Sequence, residues 1–271
     1  LYTVEGVIGA VHFNHFMIWP NGDLSIASPI EIVTYSNSHQ FINKKRCENV
    51  GYIEAITLLN DSLYIIKCMP TPEQLRYRII NHHTGAIINS YDSIINCNRY
   101  ISSFTNSFER YEGHIISHGY QSNDILECTL DSSKIRYKIN VDNRIPPAGF
   151  YTQEGKEGMQ LIQEEAEKGY IGHIPDYVES KETILLSFKG KREDLNGIAL
   201  IDKKDGNARV LENIKFDDNF RWLPKQFFSL DEGWCAMLMY PEDVLKKEEF
   251  ARRFPGLDEE SNPVLFIGKL R

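Results

Sequence analysis

Apolar residues along this chain fall in short runs, and five of those runs open with the same kind of phrase, a turn of small or charged residues leading into a strand. The phrase reads Trp19-Pro20-Asn21-Gly22-Asp23-Leu24-Ser25-Ile26-Ala27, then Leu59-Asn60-Asp61-Ser62-Leu63-Tyr64-Ile65-Ile66. It returns at Arg110-Tyr111-Glu112-Gly113-His114-Ile115-Ile116-Ser117, at Glu179 to Leu186, and at Leu230-Asp231-Glu232-Gly233-Trp234-Cys235-Ala236-Met237. Recurrence every ~40–50 residues marks a supersecondary unit stacked on copies of itself. Short strands bounded by Gly, Asn, Asp and Ser are joined by hairpins. The pattern predicts an all-β fold, a β-propeller of four-stranded antiparallel blades with five repeats visible.

Each repeat divides into strands. The first gives Val11–Ile18, Asp23–Ser28, Glu31–Tyr35 and Gln40–Asn43. The second gives Tyr52–Leu58, Ser62–Lys67, Leu75–Asn81 and Ala86–Tyr91. The third gives Tyr100–Asn106, His114–Gly119, Asp124–Leu130 and Lys134–Val141, and the fourth Gly172–Val178, Thr183–Phe188, Gly197–Asp202 and Ala208–Asn213. Strict alternation in Leu75-Arg76-Tyr77-Arg78-Ile79 and in Lys134 to Ile139 predicts strands with one polar, outward face. The fifth repeat holds Lys225–Leu230, Gly233–Tyr240 and the closing strand Val264–Leu270, and lacks an outermost partner. Because closure abolishes open sheet edges, that partner is expected from Leu1–Val4 or from residues before Leu1.

Two segments break the strand pattern. Residues 146–169 form an insertion containing a predicted helix, Lys156–Lys168, with Met159, Ile162 and Ala166 on its apolar face and Gly169 at the C′ position. A second helical excursion spans 241–254. Pro241 suits N1, Glu242 and Asp243 suit the positive end, Arg252 and Arg253 suit the negative end, and Pro255 stops it. Apart from these excursions, residues 1–271 read as a single propeller domain, with room for a further blade before Leu1.

Composition narrows the function classes. Net charge is −8 and the acidic residues are dispersed. The basic clusters, Lys44-Lys45-Arg46, Lys189 to Arg192 and Arg252-Arg253, are too short for a phosphate-tracking stripe, which excludes nucleic acid as a partner. Five cysteines, an odd number without C-x-x-C spacing, read as buried free thiols. No apolar run approaches the ~20 residues of a membrane span.

The blade phrase Asn21-Gly22-Asp23-Leu24-Ser25-Ile26, the charged helix near the C-terminus and the closing Glu260-Ser261-Asn262-Pro263-Val264-Leu265-Phe266-Ile267-Gly268-Lys269-Leu270 carry a resemblance. The chain resembles six-bladed β-propeller proteins of unknown function that anaerobic gut bacteria encode in large numbers, many as lipoproteins. The resemblance covers most of the chain, although five repeats are visible instead of six. It implies a periplasmic or cell-surface location, with a lipid anchor upstream of Leu1, and it offers no catalytic residues to carry over.

Ligands of propellers meet the starts of inner strands, so polar residues there are the candidates: His12, Asn14 and His15, Glu54, Asn106, His173 and Asp176, and Lys225 with Gln226. Phe150, Tyr151 and Trp222, beside the insertions, could stack on a sugar or peptide. The binding set is therefore His12, Asn14, Glu54, Tyr151, His173, Asp176 and Trp222. A His/Asp/Glu group could hold a metal, but there is no H-E-x-x-H or EF-hand loop, and neither metal nor cofactor is expected. No G-x-S-x-G appears. The reading is a non-enzymatic module outside the cytoplasm that recognises a protein, peptide or glycan. The alternative is a carbohydrate-active hydrolase or lyase using Glu54 and Asp176, since glycoside hydrolysis needs two carboxylates flanking the bond.

Overall fold

A computed structural model of the chain describes residues 15–47, 52–68, 75–93, 108–118, 123–140, 144–147, 149–150, 153, 155–156, 158–172, 174–190, 192–215, 221–224, 227–230, 232–246 and 248–270. Its contacts divide it into two compact units, 1–108 with 114–172 and 109–113 with 173–271.

Blade 1 is the meander β1 (His15–Ile18), β2 (Leu24–Ala27), β3 (Glu31–Tyr35) and β4 (Phe41–Arg46). Blade 2 is β5 (Ile53–Leu58), β6 (Leu63–Cys68), β7 (Leu75–Asn81) and β8 (Ile87–Ser93). Blade 3 follows with β9 (Glu109–Tyr111), β10 (His114–His118), β11 (Asp124–Cys128) and β12 (Ser133–Lys138). After helix α1 (Gly158–Lys168), blade 4 comprises β13 (Tyr177–Glu179), β14 (Thr183–Phe188), β15 (Gly197–Asp202) and β16 (Ala208–Val210). A small hairpin follows, β17 (Ile214–Lys215) with β18 (Arg221–Trp222). Blade 5 then has three strands among the described residues, β19 (Phe227–Ser229), β20 (Trp234–Met239) and β21 (Val264–Lys269). Antiparallel meanders repeated in chain order make this an all-β protein of the β-propeller class. The strand Val264–Lys269 pairs with β20 in the fifth blade, as its alternation predicts. The expectation that Leu1–Val4 supplies that blade's outer strand lies outside the described residues.

Apolar faces meet between neighbouring blades. Met17, Trp19, Ile32, Ile53, Tyr64, Ile66 and Ile80 join blades 1 and 2. Ile65, Tyr77, Ile79, Ile115 and Leu126 join blades 2 and 3. In the second unit, Val178, Leu185 and Ile198 pack on Phe227, Met237 and Val244. Cys47, Cys68, Cys128 and Cys235 are free thiols.

Several expectations need correction. The strand beside β10 is Glu109–Tyr111 and not Tyr100–Asn106, which lies outside the described residues. Glu112 and Gly113 have φ of 50° and 76°, and a two-residue turn of that kind pairs β10 with the residues immediately before it. The inner strand of blade 4 starts at Tyr177 instead of Gly172, because Pro175 has no N–H for the ladder. Arg76 and Arg78 are buried, not outward. A blade is covered on both faces, and arginine stems pack there as apolar material.

Helix α1 buries Leu161 against Phe150, whereas Met159 is exposed. Side chains in a helix lean toward its N-terminus, which carries Met159, in the first turn, past that cluster. The second excursion is two helices, α2 (Pro241–Leu245) and α3 (Glu248–Arg253). Val244 is fully buried and Phe254 packs edge-on to Phe266. On one continuous helix these residues would point about 80° apart, and the break lets both reach the same sheet. His82, in the turn after β7, sets its ring centroid 3.9 Å from that of Trp19.

Candidate functional site

In the first unit, polar side chains gather where inner strands begin, second strands end and third strands begin. Glu54 sits at a register irregularity, since Ile53 pairs with Cys68 but Ala55 pairs with Lys67. A bulge of this kind re-aims a side chain and is common beside functional sites. Lys67 is opposite Tyr77 on β7, and Arg76 is the residue before. His118 ends β10 and Asn123 precedes β11.

Arg76 Nη2 donates to the carbonyl oxygen of His118 over 2.6 Å, and Tyr77 Oη donates to Ser117 Oγ over 2.9 Å. These bonds fasten blade 2 to blade 3. The guanidinium lies 5.3 Å from the Tyr77 ring centroid. Lys67 is fully buried. Its Nζ, together with Glu54 Oε2, His15 Nδ1 and both amide atoms of Asn123, has no hydrogen-bond partner among the described residues. Burial, seconded by the Arg76 charge, pushes the Lys67 amine down to about 7, while Glu54 pulls the other way. Burial pushes His15 down to about 4, with Lys67 adding to the effect. His15 is therefore neutral at physiological pH, and Lys67 gives up its proton far more readily than an exposed lysine.

This arrangement offers a neutral imidazole, an amine and a carboxylate with hydrogen-bonding capacity unspent, beside a fixed guanidinium. Buried polar groups are nearly always satisfied, and open capacity at strand ends suits a polar ligand or ordered water. Among the described residues no three His, Cys, Asp or Glu side chains gather to hold a metal ion.

In the second unit Asp176 precedes β13. Its carboxylate accepts from Ser187 Oγ over 2.6 Å, and its N–H donates to the same oxygen over 3.1 Å. Burial pushes its carboxyl up to about 6, against the opposing pull of Ser187 and Lys189.

Of the sequence-predicted site residues, His12, Asn14, Tyr151 and His173 lie outside the described residues, as do Asn106, Lys225 and Gln226. Glu54 belongs to the first unit, with His15 and Lys67, and Asp176 to the second, with Ser187. Trp222 is in β18, opposite Ile214. Sequence reasoning missed Lys67, Arg76, His118 and Asn123. The available signal was Lys67, a lone cation in the run Leu63-Tyr64-Ile65-Ile66-Lys67-Cys68, which reads as a strand buried on both faces.

No family model matches the chain, and no curated protein matches it. Among solved structures, a Bacteroides fragilis protein bearing the name "putative exported protein" superposes with a TM-score of 0.71 at 9% identity, over 96% of this chain and 77% of that one. The Pan2 WD40 domain of Neurospora crassa gives 0.48 at 9% identity, over 85% of this chain and 61% of that one. Only the first is similar enough in backbone to carry an argument, and at that identity the argument concerns the fold alone. No helix among the described residues is long and apolar enough to cross a membrane.

Proposed function

We propose that this chain is a non-enzymatic binding module that works outside the cytoplasm, in the periplasm or as a cell-surface lipoprotein. It recognises a protein, peptide or glycan through His12, Asn14, Glu54, Tyr151, His173, Asp176 and Trp222. The observation that carries this reading is the group His15, Glu54 and Lys67 at the strand ends, whose buried atoms Nδ1, Oε2 and Nζ meet no hydrogen-bond partner among the described residues. Recognition asks for such capacity, whereas catalysis asks for carboxylates whose environments separate their pKa values across one reacting bond. The extracytoplasmic part is supported by the resemblance to gut-bacterial lipoproteins and by the name of the Bacteroides fragilis neighbour.

A second reading, a hydrolase or lyase acting on carbohydrate, is favoured by one observation, the Asp176 carboxyl pushed up to about 6. A carboxyl so raised can serve as a general acid. The deciding experiment replaces Glu54 and Asp176 separately by Ala and assays a panel of glycans, peptides and aryl glycosides. The binding reading expects glycan or peptide retention that Glu54→Ala weakens, with no turnover. Wild-type turnover that collapses in either variant establishes the hydrolase instead.

A further inference from the structure

The second unit contains a cavity of about 530 Å³ that the blade-end residues do not use. Sites for small molecules run to roughly 300–1,000 Å³. One wall is a cross-strand row on blade 4: Leu185 pairs with Leu200, and Leu200 with Arg209. Residues directly opposite one another share a sheet face, so Arg209 stands at the end of an apolar row. The other wall is blade 5, with Cys235, Met237 and Gly268.

Gly268 is what leaves the space open. It pairs with Cys235, and a Cβ added there would meet nothing within 4 Å. Its φ is not in the left-handed region, so the backbone conformation does not require glycine. A larger side chain would fit without strain and would occupy the cavity.

The rim is cationic. Arg209, at the end of that row, is exposed and makes no ion pair with any described residue, whereas Lys269 follows Gly268 and stands on the opposite face of blade 5. Lys269 pairs in register with Trp234 and holds its Nζ 5.6 Å from that ring's centroid. In a chain of net charge −8, an exposed guanidinium at the edge of an apolar cavity, without an ion pair among the described residues, complements a negative head group on an apolar body.

We infer that this cavity binds an amphipathic monoanion. The apolar body lies against Leu185, Leu200, Met237 and the open backbone at Gly268, and the acidic head is held by Arg209. This site is independent of the blade-end reading.

The test titrates the full chain calorimetrically with decanoate, decanol and decylamine, each below its aggregation concentration. Decanoate is expected to bind saturably at one per chain, and decanol and decylamine at least roughly tenfold more weakly, the loss of one charge-assisted contact. Gly268→Leu is expected to abolish decanoate uptake with the melting temperature unchanged or raised. Should Gly268→Leu fail to fold, the surface variant Arg209→Gln decides, with decanoate weakened roughly tenfold and decanol unaffected. The proposal is overturned if decanoate does not bind saturably, if decanol or decylamine binds as tightly, or if a folded Gly268→Leu or Arg209→Gln binds decanoate like the parent.

Discussion

Ser187 Oγ donates to the Asp176 carboxylate over 2.6 Å while accepting the backbone N–H of Asp176 over 3.1 Å. Serine has one proton to give, so the reciprocal pair fixes the start of blade 4 without compensating a buried negative charge in full. The raised carboxyl of Asp176 is the consequence.

Its folded value, about 6, exceeds the 3.8 of the unfolded chain. Between these values the folded state binds more protons, so stability falls as pH rises from about 4 to about 6 and is flat above. Asp176→Asn, which keeps an acceptor for Ser187, is expected to remove that fall. It should match the parent near pH 4 and exceed it at pH 7 by at most about 3 kcal/mol. Urea midpoints from pH 4 to 8 measure this, and an Asn variant weaker than the parent at pH 7 would refute it.

Lys67 behaves in the opposite sense. Its folded value, about 7, lies below the unfolded 10.5, so the unfolded state binds more protons across that window and stability rises with pH through it. Lys67→Met is expected to lose the rise and to be more stable than the parent near pH 6, by about 1–3 kcal/mol, because an unsatisfied buried amine is removed. If the blade-end group is a binding site, the same variant loses ligand retention. Thermal melts at pH 6 and pH 9.5 test the stability half, and a less stable Lys67→Met at pH 6 would contradict it.

Gly197 is fixed by packing. A Cβ there would stand 2.5 Å from Phe188 Cζ, and the two residues are directly opposite in the β14–β15 ladder. Phe188 is buried at 9% exposure, so its ring has little room to move. Gly197→Ala is expected to cost about 1–3 kcal/mol, and adding Phe188→Leu should recover part of that loss. A double-mutant cycle with no coupling between the two positions would show that the ring yields freely.

Local pattern determined a large part of this protein. Alternation and turn chemistry bounded Leu75–Asn81, Thr183–Phe188 and Gly197–Asp202 to the residue, and the repeat order assigned the closing strand, read as Val264–Leu270, to the fifth blade. These are properties of one strand and its hairpin partner, set by side-chain alternation and by turns that admit few residues. Pro241, Glu242 and Asp243 likewise marked a helix start, because caps and terminal charges act within one turn.

Tertiary structure decided which polar residues lose their water. Glu54 was legible as an inner-strand residue, but Lys67 and Arg76 read as ordinary strand cations. Their burial arises only when blade 2 is covered on both faces and Arg76 reaches the His118 carbonyl, 42 residues along the chain. The same holds for Met159, whose exposure depends on where Phe150 stops, and for the break between α2 and α3, imposed by Val244 and Phe254 reaching one sheet. The cavity at Gly268 is also a tertiary fact. A glycine in a strand reads as a weak point in sequence, and it becomes an opening only because Leu200 and Arg209 stand across from it.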